Sequence, residues 1–268
     1  MNPIYEHNRR AWDERARRGE RHTRQVLAKD LKNPLPILDP ENWLGGNLAG
    51  KRVLCLASGG GLQSALCAAA GAIVTVVDIS PEMLTQDRQS AAEHGLKIKI
   101  IEASMDDLLA LSEAGFDIVI QPVSTCYVPD IAAVYRQVAR VLAPGGLYLS
   151  QHKQPVNLQA DVAPTSSGYV VREPYYRTGP LPAVAAGSLH READTTEFLH
   201  RWEELIGGLC RAGFVVEDLV EPRQAGVVVQ PGSFEHRSLF MPPYVKIKAR
   251  RVGKPSDEPK PAALWTPS

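Results

Sequence analysis

LCLASGGGLQS (54–64), followed after one helix length by VVDIS (76–80), decides how this chain is read. Leu54, Cys55 and Leu56 end an apolar run of β type, and the glycines at 59, 60 and 61 break it. Apolar residues then return at helical spacing. A strand that runs through glycines into a helix presents backbone N–H groups at the turn, and glycine lets a ligand come close. Asp78 closes the next apolar run, IVTVV (73–77), where an acid can accept both hydroxyls of a ribose. The pairing suits an adenosine cofactor at the switch point of a doubly wound α/β sheet.

The same alternation continues outward. Ser80-Pro81-Glu82 is a helix start, with serine as cap and proline at the first helical position. KIKII (97–101), FDIVIQ (116–121) and LYLSQH (147–152) read as further strands, and Pro129-Asp130 opens a helix to about Leu142. Strands alternating with helices predict right-handed βαβ units and a mostly parallel sheet. FVVEDLVEP (214–222) and SLFMPPYVKIKARR (238–251) have no helix between them and predict an antiparallel pair. Residues 195–212 predict a helix ended by Gly213, with Phe198, Leu199, Trp202, Leu205 and Leu209 on one side. Residues 3–32 also read as helical, before Pro34, Pro36 and Pro40 form a connector. The expected organisation is an N-terminal helix and connector over the site (1–50), a main domain (51–252) and a disordered tail (253–268). Residues 153–194, rich in Pro, Gly, Ser and Tyr, form an insertion after the fifth strand and are expected to act as a lid.

Thirty Lys and Arg balance thirty Asp and Glu, so the 268-residue chain lacks the global field of a nucleic-acid or anionic-lipid binder. A local basic face stays open, because residues 1–33 carry an excess of Lys and Arg. The four cysteines, at 55, 67, 126 and 210, form no CxxC, and no metal ligand set is expected. No apolar signal stretch opens the chain and no apolar run is long enough to span a bilayer, which leads to the expectation of a cytoplasmic protein.

The order of motifs resembles the class I S-adenosylmethionine-dependent methyltransferases over roughly residues 50–151 and 195–252. LASGGGLQS is similar to that family's first motif, VVDIS to its second and EASMDDL (102–108) to its third. FDIVIQ and LAPGGLYL (142–149) resemble the fourth motif and the turn into the fifth strand. The resemblance implies a seven-stranded sheet whose C-terminal part is antiparallel, with S-adenosyl-L-methionine as cofactor. It places Ala57, Ser58, Gly59, Gly61 and Gln63 along the cofactor's aminoacyl part and ribose. Asp78 then falls on the ribose hydroxyls, Ile79 on the adenine face, Ser104, Met105 and Asp106 at the adenine edge, and Gln121 beside the methionine moiety. The chain departs from the family at Cys55, where an acid is usual, and at Ala57, where the first glycine is usual.

The N-terminal pattern YEHNRRAWDERA (5–16) resembles the helix that many small-molecule methyltransferases fold over the cofactor, which turns Tyr5, Asn8 and Trp12 toward the site. Thr125 and Tyr127, after the fourth strand, and Tyr175 and Tyr176, in the insertion, are candidates for the acceptor side. His152, at the end of the fifth strand, is either a proton acceptor or a rim histidine bonded to backbone. The leading expectation is in-line methyl transfer to a small-molecule acceptor through O, N or S. A nicotinamide-dependent oxidoreductase and a catalytically inactive methyltransferase-like binding protein are the alternatives.

Overall fold

The computed structural model describes residues 2–253 except 21, 22, 24, 25, 186, 187, 189 and 224–228. The predicted tail from 254 lies outside the described residues. Seven strands form one sheet: β1 (Arg52–Leu56), β2 (Ile73–Asp78), β3 (Ile98–Glu102), β4 (Phe116–Gln121), β5 (Leu142–Lys153), β6 (Phe214–Val220) and β7 (Tyr244–Arg251). Their order is β3-β2-β1-β4-β5-β7-β6. The first five pair in parallel, and β7 runs antiparallel to both β5 and β6. Chain order reverses between β1 and β4, so the crevice above their C-terminal ends is the switch point of the sheet.

Alternation along β1 shows how the sheet is buried on both faces. Val53 and Cys55 join one core with Cys67, Val76 and Leu84, beneath α3 (Gln63–Ala69) and α4 (Pro81–His94). Leu54 and Leu56 join the other with Val134, Tyr135 and Val138 of α5 (Ile131–Val141), and with Leu205 and Leu209. The predicted starts of α4 and α5 are present: the side chains of Ser80 and Asp130 accept from Met83 N and Ala132 N.

Three sequence expectations are corrected. The N-terminal helix α1 is Pro3–Arg18 rather than 3–32, because Gly19 turns left-handed (φ 61°) and its N–H returns to the last turn. A single turn, α2 (Leu35–Leu38), follows within the connector. The helix expected over 195–212 begins only after Trp202, as a π turn (Glu203–Gly207) running into α7 (Gly208–Arg211). The residues before it are irregular because their backbone groups bond to distant partners: Thr196 N to Asn8 Oδ1, Phe198 N to Cys126 O, and Glu197 O from Leu181 N. The last strand starts at Tyr244 rather than 238, since Ser233 caps a short helix, α8 (Phe234–Ser238), and Pro242-Pro243 separate the two.

After β5 comes α6 (Pro155–Gln159). Buried Arg237 of α8 staples it, donating to Asn157 Oδ1 (2.5 Å) and to the carbonyls of Asn157, Ala160 and Asp161.

Candidate active site

A cavity of about 330 Å³ opens over the C-terminal ends of β1, β2 and β4, roofed by α1. Helix α1 is tied down on both sides. Tyr5 donates its hydroxyl to Asp106, while Asn8 bonds to Tyr127 O (3.0 Å) and Thr196 O (3.0 Å). Toward its end, buried Asp13 accepts from Ser80 Oγ (2.6 Å), and Arg17 pairs with Glu82 (2.9 Å). These polar anchors explain why buried Asn8 and Asp13 interrupt the helix's inner face.

Of the residues singled out in the sequence, Tyr5, Asn8, Trp12, Ala57, Ser58, Gly59, Gln63, Asp78, Ile79, Ser104, Met105 and Tyr127 line the cavity. Gly61, Asp106, Gln121, Thr125, His152, Tyr175 and Tyr176 do not. Asp106 holds Tyr5 and Ser104 from behind. Gln121 is buried, donating to Ser124 Oγ (2.9 Å) and accepting from Tyr148 Oη (2.5 Å). His152 is buried with both ring nitrogens engaged, by Thr125 Oγ1 and Ser150 Oγ at 2.8 Å each. Burial, then the neighbouring His200, lowers its pKa to about 3. Alternation along β5 turns Gln151 into the cavity and His152 away from it. Tyr175 accepts from Trp202 N (3.3 Å), and Tyr176 is 75% exposed beneath Arg201.

The turn after β1 is shaped by its protein neighbours as much as by any ligand. A Cβ on Gly59 would stand 2.7 Å from Met83 Cβ, and one on Gly61 would stand 2.9 Å from Gln86 O, so both glycines let α4 approach. Ala57 itself sits at φ 47°, the left-handed region that favours glycine. Two carboxylates hold the turn. Asp78 accepts from Gly59 N (2.9 Å) and Ser80 N (2.9 Å). Asp87 of α4, fully buried, accepts from Gly60 N (2.9 Å) and from the Ser64 hydroxyl. Burial raises both carboxyls, Asp87 to about 6, against the hydrogen bonds that favour their charged forms.

Sequence reasoning missed Leu62, Met83, Pro122, Val123, Ser124, Val128, Gln151, Glu192 and Tyr244 in the cavity wall. Glu192 belongs to a buried cluster. Lys153 Nζ pairs with Glu192 (2.5 Å) and with Glu197, Arg191 pairs with Glu197, and Tyr127 Oη donates to Glu192 (2.9 Å). The spacing of these residues along the chain carries no signal; only the end of β5 brings Lys153 to the two acids.

A family model for a methyltransferase domain matches residues 54–150. An uncharacterised methyltransferase of Bacillus subtilis is 34% identical over 243 residues, covering 86% of this chain and 95% of that protein. The chain belongs to the class I S-adenosylmethionine-dependent methyltransferases. A ubiquinone biosynthesis O-methyltransferase of Xanthomonas oryzae is 40% identical over 105 residues, covering 39% of this chain and 44% of that protein. In fold, this methyltransferase matches an S-adenosylmethionine-dependent methyltransferase from Mesorhizobium loti at a TM-score of 0.65 and 21% identity, over 82% of this chain and all of the other. The strand order and the antiparallel β7 agree with that membership, and the nicotinamide alternative falls away.

The cavity fits S-adenosylmethionine on its own geometry. Gln63 Oε1 is buried without a hydrogen-bond partner among the described residues, on the wall beside Ala57 and Ser58. At the same crevice the half-buried Asp78 carboxylate lines the cavity at the end of β2.

Proposed function

We propose that this methyltransferase transfers its methyl group to a small organic acceptor enclosed beneath α1. The observation that carries the reading is the roof: α1 is anchored to β3's exit, β4's exit, the 192–197 segment and α4, which closes the cavity over the sheet's C-terminal edge. An opening so covered suits a molecule of modest size better than a polymer. The similarity to a ubiquinone biosynthesis O-methyltransferase supports a small acceptor.

The cofactor supplies a methyl group on a sulfonium, which a nucleophile displaces directly. The protein's task is alignment and exclusion of water. In this reading Asp78 accepts from the ribose hydroxyls, Ile79, Ser104 and Met105 bracket the adenine, and Gln63 with the backbone of Ala57, Ser58 and Gly59 receives the aminoacyl end. Tyr5 and Trp12 close the roof. Tyr127, Gln151 and Tyr244 form the acceptor wall. His152, engaged at both nitrogens behind that wall, supports the wall and takes no part in proton transfer.

The test is label transfer from methyl-tritiated S-adenosylmethionine into a bacterial lysate, separated by mass. Label in the low-mass organic fraction is expected. Label confined to RNA, DNA or protein refutes the small-acceptor reading.

A further inference from the structure

We infer that the acceptor is a neutral, largely apolar molecule bearing a hydroxyl or amine, and that Glu192 receives that donor. The inference rests on the small-acceptor reading above and deepens it.

The position comes first. Lys153 ends β5 and Asp78 ends β2, and the order β2-β1-β4-β5 puts three strand spacings, about 14 Å, between them. Asp78 and Glu192 therefore mark two ends of one cavity. With the ribose at Asp78, the far end is left for the acceptor. There the walls are Trp12, Tyr127, Val128 and Tyr244, with Gln151 as their polar member and Trp12 packed edge-on to Tyr127 at 5.6 Å. Such walls hold a ring or a hydrocarbon frame.

The charge arithmetic comes second. Lys153 is paired with Glu192 and Glu197, and Arg191 with Glu197, so each cation of the cluster already has a carboxyl partner before any ligand arrives. An anionic acceptor would meet an ionised Glu192 and no spare cation of the cluster. Burial opposes the charge on Glu192, but Lys153, the hydrogen bonds from Lys153 and Tyr127, and the contact with Glu197 outweigh it and hold this carboxyl well below the usual range. Both of those donors go to Oε2, and neither goes to Oε1. An ionised carboxylate in a largely apolar wall gains a strong bond from a neutral donor and is costly to cover with hydrocarbon. The same ionisation makes it a poor proton acceptor, so its part is recognition and orientation.

The test uses S-adenosylhomocysteine-saturated protein titrated calorimetrically with 4-propylphenol, 4-propylaniline and propylbenzene. The phenol or the aniline is expected to bind about tenfold more tightly than propylbenzene, the value of one charge-assisted bond in an apolar site. Glu192→Gln should cut that preference to about threefold or less while S-adenosylhomocysteine binds as before. Should the single variant fail to fold, Glu192→Leu with Lys153→Met keeps the charge balanced and is expected to abolish the preference. Equal binding of propylbenzene, absence of binding by all three probes, or an unchanged preference in the variants overturns the inference. Failure of the native protein to bind S-adenosylhomocysteine instead removes the placement of the cofactor on which the inference stands.

Discussion

Replacing Asp87 by asparagine should make the protein more stable near neutral pH and leave its acid stability unchanged. The carboxyl is fully buried, and burial raises its pKa from 3.8 to about 6 against the bonds from Ser64 and Gly60. A rise of this size corresponds to about 3 kcal/mol. The folded pKa lies above the unfolded one. The stabilising contribution is thus complete below pH 3.8, where both states hold the proton, and is lost as pH rises through about 6. Asparagine resembles the protonated acid at every pH: its carbonyl oxygen can accept from Gly60 N, and its amide can donate to the Ser64 hydroxyl oxygen. Guanidinium unfolding of both proteins at steps from pH 4.5 to 8 measures the difference directly. That difference should grow by about 2 kcal/mol in favour of Asp87→Asn across the series, since about 1 kcal/mol of the effect is already present at pH 4.5. A difference that stays flat with pH would refute the account of a strained, charged clamp under the β1 turn.

Asp78→Asn should weaken S-adenosylhomocysteine binding by about tenfold or more, since each charge-assisted bond to a ribose hydroxyl is worth roughly 1.5–3 kcal/mol. Unchanged affinity by calorimetry in a folded variant would remove the ribose assignment. His152, held near 3 by burial and by His200, should show a neutral imidazole with no titration between about pH 5 and 8 in nitrogen-15 spectra. A transition near the ordinary histidine value would return it to the candidates for proton transfer.

The sheet was legible because its strands alternate or run apolar between glycine and proline punctuation, and because Ser80 and Asp130 are strong caps. What escaped was set by distant partners. Phe198 and Leu199 fit a helical stripe, yet Asn8, Cys126 and Leu181 take the backbone bonds of their neighbourhood and leave it irregular. The cofactor end of the cavity could be found from motifs because its residues are close in sequence to the turns of β1 and β2. The acceptor end could not. Lys153 meets Glu192 and Glu197 across 39 and 44 residues of chain without a period, so nothing local relates them. Gly59 and Gly61 also make room for protein, a demand that no local pattern reveals: a Cβ on either would press on Asp78 or α4.

The departure at Cys55 has a physical counterpart in Asp87. Cys55 is fully buried on the α3 and α4 side of β1, its Sγ 3.8 Å from that of Cys67, and it lines no part of the cavity. The Cys67 thiol, burial and the nearby Asp87 all push the Cys55 thiol up, so this position disfavours a negative charge. The acid under the turn comes from α4 instead, through Asp87 on Gly60 N. Two carboxylates there would repel within a low-dielectric layer, which makes a neutral residue at 55 the companion of an acid at 87. Cys55→Asp alone should therefore destabilise the protein by about 3–5 kcal/mol, the cost of an uncompensated buried charge. Adding Asp87→Asn should recover about 1–3 kcal/mol beyond additivity, the coupling expected of contacting sites. Guanidinium unfolding of the four proteins closes the cycle. Purely additive effects would show that the two positions do not share one charge, and the exchange of the acid between β1 and α4 would lose its basis.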